Sequence, residues 1–310
     1  MGTLGFEILK AARPRQWVKN FAIFSTILFT GHLFEYLPII QSIAAFFAFC
    51  FLASSNYMFN DILDRQRDKK HPFKKFRPIA SGRLPVRVAW VSSFFLLVLG
   101  LSISFVLGKP FFVMAALFSL LEYAYSLYLK HISVIDILTI TAAYFLRVYA
   151  GEAATGYHIS IWLALAVLSL ALFLAVGKRR AELTLIQRYT GIVPKDTRET
   201  LSNYSEKLLD TYTAMFANST FLSYAMYTFL VQPVTKGFFW STPSGNFFPD
   251  RKWMMITIPF VLYGIMRYMQ LIYEGKGESP EKIVTSDKPL ILTIMVWALT
   301  LLVVIYGVGG

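Results

Sequence analysis

The chain has 310 residues, of which 56% are hydrophobic, 16% aromatic and only 15% charged, and its mean hydropathy is +0.53. A soluble domain of this length carries about a quarter charged residues, so a water-soluble globule is excluded. The single cysteine, Cys50, excludes an intrachain disulfide and a thiolate metal centre. The net charge of +12 needs no nucleic-acid partner, because most of it is explained by membrane topology.

Apolar stretches of about 20 residues, enough to cross a bilayer, recur along the chain. They predict an all-α polytopic membrane protein, a single transmembrane domain over residues 1–310. In chain order nine spans are expected, near 20–36, 38–59, 88–107, 110–129, 133–154, 160–177, 211–232, 253–273 and 289–308. Lys and Arg number 24 in the alternate connections that include the N-terminus and 4 in the opposite set, with Arg147 and Arg267 inside spans. The positive-inside rule then places the N-terminus in the cytoplasm and the C-terminus outside. The cytoplasmic loops 60–87 and 178–210 are the largest soluble pieces.

The N-terminal tail carries Arg13, Arg15, Trp17 and Lys19 at the inner interface, suited to anchoring or to clamping phosphate. The second span runs directly into Asn60-Asp61-Ile62-Leu63-Asp64-Arg65-Gln66-Arg67-Asp68, which holds three of the chain's eight aspartates. On a helix Asp61, Asp64 and Asp68 share one face. Like charges so arranged repel unless a cation sits among them, and a hard divalent ion such as Mg²⁺ fits. Nine cations follow or interleave with these carboxylates in loop 60–87, Lys75 and Arg77 among them, and Pro72, Pro78 and Pro85 break any long helix there.

Farther along, the short connection between the fourth and fifth spans offers Tyr125, Lys130, His131 and Asp136, either as interfacial groups or as ligands. Arg147 stands inside a span, a costly position that requires a partner: Glu152, Glu122 or a ligand phosphate. The sixth span ends in Gly-Lys178-Arg179-Arg180-Ala-Glu182-Leu, readable as snorkelling anchors, as a Lys178–Glu182 ion pair or as a phosphate grip. The four histidines show no metal-ligand spacing, and no Walker loop or nucleophile elbow occurs.

The Asn-Asp-x-x-Asp-x-x-x-Asp pattern after the second of nine helices resembles the first aspartate-rich motif of the UbiA superfamily of intramembrane prenyltransferases. That resemblance implies a helical bundle around a central cavity, with diphosphate bound through Mg²⁺. Most members carry a second aspartate-rich motif where this chain has GKRRAEL, so a different substrate head group is implied. RPRQWVKN, NDILDRQRDKKHPFKKFRPIASG, YSLYLKHISVID, YFLRVYAG and GESPEKIVTSDKPL are similar to a branch that acts on phosphoribosyl diphosphate.

Membership of that branch implies Mg-dependent transfer of a 5-phosphoribosyl group to a decaprenyl-type polyprenyl phosphate, feeding cell-wall arabinan synthesis in a bacterial inner membrane, with the site facing the cytoplasm. Asp61, Asp64 and Asp68 are then the metal ligands and Asn60 orients a ligand. Lys130, Lys178, Arg179, Lys75 and Arg77 grip donor phosphates, and Tyr125 joins them at the substrate. Asp136 and Glu182 meet ribose hydroxyls or a metal-bound water. Arg13, Lys19 and Arg147 receive the acceptor phosphate. Two rivals stay open: transfer of a prenyl group to an aromatic acceptor, and a transporter or lipid carrier without chemistry. Oligomeric state is not determined by these residues.

Overall fold

A computed structural model describes residues 4–70, 74–188, 203–230, 252–274, 283–284 and 286–308. All regular elements among the described residues are helical. They are α1 (Leu4–Ala12), α2 (Ser25–Phe29), α3 (Tyr36–Leu63), α4 (Arg65–Lys70), α5 (Val86–Val106), α6 (Lys109–Leu127) and α7 (Ile135–Thr155), followed by α8 (Ile161–Arg188), α9 (Glu206–Leu230), α10 (Ile258–Tyr273) and α11 (Lys288–Leu302). Short 3₁₀ segments occupy Pro14–Phe24, Lys74–Phe76, Leu129–His131 and Trp253–Thr257, and a π-helical turn ends the last span at Val303–Val308.

Among the described residues six segments are long and apolar enough to cross a membrane: Tyr36–Leu63, Val86–Val106, Lys109–Leu127, Ile161–Thr184, Trp253–Tyr273 and Lys288–Gly307. Two further expected spans are continuous helices, α7 and α9, diluted by Asp136, Arg147 and Glu152 in the first and by Asn218, Ser219, Thr220 and Ser223 in the second. The expected first span at 20–36 is not one helix. Pro14–Phe24 is 3₁₀, α2 is barely more than a turn, and the chain then turns before α3. The N-terminus is likewise no plain tail but the helix α1, its Glu7 paired with Arg83 at 3.2 Å.

Large apolar side chains cover the exterior. Val91, Phe94, Phe95, Phe105 and Val106 of α5 are all exposed, a surface that only a lipid environment tolerates. The protein is an integral membrane protein.

Two compact units are present, one built from α1 and α3 to α7 with the 3₁₀ segment, the other from α2 and α8 to α11. In the first, Ala45, Ala48, Phe49, Leu52 and Ala53 of α3 meet Phe111, Ala115 and Phe118 of α6 and Ala143 and Ala150 of α7. Small residues let these backbones approach. At Gly100 of α5 a Cβ would lie 2.7 Å from Leu52 Cγ, so glycine is required for the α3–α5 contact. Ser55 Oγ donates to the Ser93 carbonyl at 2.7 Å, and Ser93 Oγ donates back to that of Ser55 at 2.9 Å. In the second unit α8 packs along α9. Gly177 there admits Ile272 and Tyr268, and Tyr224, Thr257 and Trp297 form a buried hydrogen-bond chain.

Candidate active site

Apolar anchoring positions the charged groups. Ile79 and Leu84, within the proline-broken loop, are fully buried against Ala11, Ala12, Met58 and Ala89. This plug holds the turn after Arg77 against α1 and α3. Trp17 Nε1 donates to Ser54 Oγ at 3.0 Å, and Ser54 Oγ donates to the Ala12 carbonyl at 3.0 Å, pinning the 3₁₀ segment to α3. Arg13, between α1 and that segment, has φ +54°, a left-handed conformation uncommon outside glycine. Backbone strain of this kind concentrates at functional positions.

The aspartates come off one helical run with a break at Asp64, between α3 and α4. Backbone bonds from Asp64 N to Asn60 O and from Asp68 N to Asp64 O carry the helical direction through the break. Asp61 and Asp68 therefore keep a common face, and Arg77 Nη1 donates to both, at 2.9 Å to Asp61 Oδ1 and 2.7 Å to Asp68 Oδ2. Arg13 Nη2 also donates to Asp61 Oδ1, with its guanidinium 5.2 Å from the Tyr57 ring. Asp64 turns instead to Lys130, whose Nζ donates to both carboxylate oxygens at 2.7 and 2.8 Å and to Asn60 Oδ1 at 3.1 Å.

The cations among the aspartates are thus the chain's own side chains. The expected convergence of three carboxylates on one point is not found: among the described residues no group of three acidic, histidine or cysteine side chains is arranged to hold a metal ion. The donor chemistry still suits Mg²⁺, which binds through one or two carboxylates plus substrate phosphate oxygens. Lys130 Nζ marks a point where three protein oxygens already meet around a positive charge. Asp64 is the most open of the acids in these pairs, its side chain 23% exposed against 2% for Asp61.

Burial pushes the Asp68 carboxyl above its ordinary value; Arg77 pulls it back, and the like charge of Asp61 adds to the rise. Desolvation lowers the pKa of Arg13, but the charge of Asp61 and the bond to it outweigh that, leaving the guanidinium above its usual value.

The other expected residues fall as follows. Lys19 is half-buried, 6.0 Å from the Tyr144 ring. Lys75 is exposed and lies over Phe76. Tyr125 is half-buried. Asp136 is fully buried, its Oδ1 accepting from Ile137 N at 2.9 Å.

Arg147 is 3% exposed and finds neutral partners rather than Glu152 or Glu122. Its Nε donates to Asn20 Oδ1 at 2.8 Å, its Nη1 to the Ala143 carbonyl at 2.7 Å, and Phe118 and Tyr144 flank the guanidinium. In α8 the ion pair runs from Arg179, fully buried, to Glu182. Arg180 bonds Asp210 at 2.7 Å and Glu206 at 3.1 Å across to α9. Arg267 is held by Asp287, which also caps α11. His71, Pro72 and half of GESPEKIVTSDKPL (277–282 and 285) lie outside the described residues.

An all-helical membrane protein with a carboxylate and cation cluster at the end of one span is the class these features define. The sequence matches the UbiA prenyltransferase family over residues 21–181. It is 34% identical to a Corynebacterium glutamicum protein named decaprenyl-phosphate phosphoribosyltransferase, over 96% of this chain and 86% of that one. It is 32% identical to the Mycolicibacterium smegmatis protein of the same name, over 96% and 92% respectively. A UbiA homologue from Archaeoglobus fulgidus, solved with GPP and Mg²⁺, shares the fold with a TM-score of 0.70 at 18% identity, covering 96% of this chain and 99% of its own. The chain belongs to the UbiA prenyltransferase family.

Proposed function

We infer that the protein transfers a 5-phosphoribosyl group from phosphoribosyl diphosphate to a polyprenyl phosphate, releasing diphosphate. The observation that carries this reading is near-full-length similarity to relatives named for that reaction. The site supports it: cations held on carboxylates at a membrane boundary suit a donor rich in phosphate and an acceptor whose tail stays in hydrocarbon.

An oxygen of the lipid phosphate forms a bond to the anomeric carbon as that carbon's bond to the diphosphate oxygen breaks. Lys130 and Arg77 change partners in this reading, turning from Asp64, Asp61 and Asp68 toward donor phosphates, so the donor is bound and oriented by charge exchange. A Mg²⁺ ion held by Asp64 with Asn60, or by Asp61 and Asp68, would neutralise charge on the departing diphosphate when bound. Arg13 holds the Asp61 carboxylate in place throughout. Lys19 is the acceptor-phosphate candidate. Lys178 and Arg179 of the second unit are phosphate-binding candidates, to be tested by alanine substitution. Nine crossings with the N-terminus in the cytoplasm belong to the same proposal.

Incubating purified protein with Mg²⁺, radiolabelled phosphoribosyl diphosphate and polyprenyl phosphate should yield an organic-soluble ribosyl lipid. Asp64→Ala should abolish it while leaving the protein folded in detergent. Absence of the lipid product, with turnover of a prenyl diphosphate and an aromatic acceptor instead, would replace this reading.

A further inference from the structure

Helix α3 carries a carboxamide that nothing in the described protein satisfies. Asn56 is 3% exposed, and neither its Nδ2 nor its Oδ1 has a hydrogen-bond partner. Leaving buried polar groups of this kind unpaired is destabilising, so an apolar side chain would be the stable choice here unless a ligand completes the amide.

Its position says which ligand. Asn56, Asn60 and Asp64 are spaced i, i+4, i+8 and follow one face of the helix, each about 6 Å from the next. The outer two meet at Lys130 Nζ, and Asn56 is the next polar group inward along that stripe. Beyond it the α3 positions that pack inward are Ala53, Leu52, Phe49 and Ala45, all buried and apolar. Along this face polarity is then interrupted for about three turns, down to the buried Ser42 near the far end of α3, so Asn56 stands as an isolated polar group one helical turn inside the Lys130 cluster.

We propose that Asn56 recognises hydroxyl groups on the sugar ring of the donor, Nδ2 donating to one hydroxyl and Oδ1 accepting from its neighbour. This rests on the phosphoribosyl-transfer reading and deepens it. A ring bonded to a diphosphate held at Lys130 puts hydroxyls about one turn inward. A prenyl chain in the same place would leave both amide atoms unpaired and would be selected against. Asn56 is thus a specificity-determining residue for a hydroxylated over an apolar donor.

The test compares two ligands on the full-length protein in nanodiscs with Mg²⁺: phosphoribosyl diphosphate and inorganic diphosphate, which lacks the ring. In Asn56→Leu the affinity for phosphoribosyl diphosphate should fall about tenfold or more, inorganic diphosphate should bind as before, and the thermal midpoint should not drop, because the orphaned atoms are gone. Asn56→Ser, which retains one hydroxyl, should lose part of the preference and serves if the leucine variant does not fold. Equal loss of both ligands, or no change in either, overturns the assignment and leaves Asn56 holding a buried water or a helix contact. The two readings fail separately. A wild-type protein that binds phosphoribosyl diphosphate no better than inorganic diphosphate and prefers a prenyl diphosphate refutes the donor. A wild-type preference that persists in both variants refutes only Asn56.

Discussion

Arg77 touches two aspartates, and the consequences of removing it are unequal for the two. Asp61 retains Arg13, whereas the hydrogen-bonded partner of Asp68 is Arg77. Stripping one partner from a buried pair costs about 3–5 kcal/mol, reduced where solvent reaches the arginine, whose side chain is 25% exposed. Arg77→Met should therefore lower stability by roughly 2–3 kcal/mol, read as a fall in the detergent melting midpoint, with loss of donor binding. Adding Asp68→Asn removes the stranded charge and should recover most of the stability but none of the binding. A double variant no more stable than the single one would show that Asp61 is the carboxylate Arg77 supports.

Much at this scale was legible beforehand. The aspartate spacing marks the carboxylate cluster that the structure pairs with cations, and the carboxylates' need for intervening positive charge is readable from it. The identity of those cations was not readable, because the partners come from residues 13, 77 and 130, brought together only by packing. For Arg147 the cost of standing in a span is evident from the sequence, but its neutral partner Asn20, 127 positions away, is not. Asn56 left a signal that went unused, a carboxamide inside an apolar span one turn before Asn60.

At the level of elements, close helix approach sets the frame that holds Asn60 and Asp61. Gly100 has no room for a side chain beside Leu52 and the Ala48 carbonyl. Gly100→Val should destabilise by about 1–3 kcal/mol through overpacking, and Leu52→Ala in the same chain should restore part of that by opening space. Melting midpoints of the four combinations check it, and simple additivity of the two losses would refute the steric account.

A different device holds the connection before α3. His32 and Tyr157 stack at 3.7 Å, His32 Nδ1 lies 2.7 Å from Glu35 Oε1, and the Tyr157 hydroxyl donates to Glu35 Oε2 at 3.2 Å. The hydrogen bond to His32 holds the Glu35 carboxyl below its usual range, with the charge of His32 and the Tyr157 bond helping against desolvation. A lowered folded-state pKa stabilises above the ordinary carboxylate value and ceases to do so as pH falls through the folded one. Amide exchange at residues 30–35 should accordingly speed up only in acid below the ordinary glutamate range, and Glu35→Gln should remove that dependence. Helix positions at this scale were mostly readable from apolar length. The expected first span failed because Pro14–Phe24 is 3₁₀ and Asn20 within it serves contacts to Cys50 of α3 and Arg147 of α7, a geometry that hydropathy does not distinguish.

For the whole molecule, orientation decides whether the chemistry is possible at all. A sugar diphosphate is soluble and charged, so Asp64 and Lys130 must open to the compartment that contains it. The imbalance of 24 Lys and Arg against 4 between the expected alternate connections predicts an aspartate cluster on the cytoplasmic side. Cys50 is buried, so cysteines placed elsewhere report cleanly. Ser81, in the loop that follows the aspartate cluster, and Lys109, the first residue of α6, are both exposed. In intact cells a membrane-impermeant maleimide should label Lys109→Cys and spare Ser81→Cys, and permeabilisation should make the two equal. The reverse pattern would put the carboxylates on the outer face, away from any phosphoribosyl donor, and would defeat the proposed reaction even with every side-chain contact in the site unchanged.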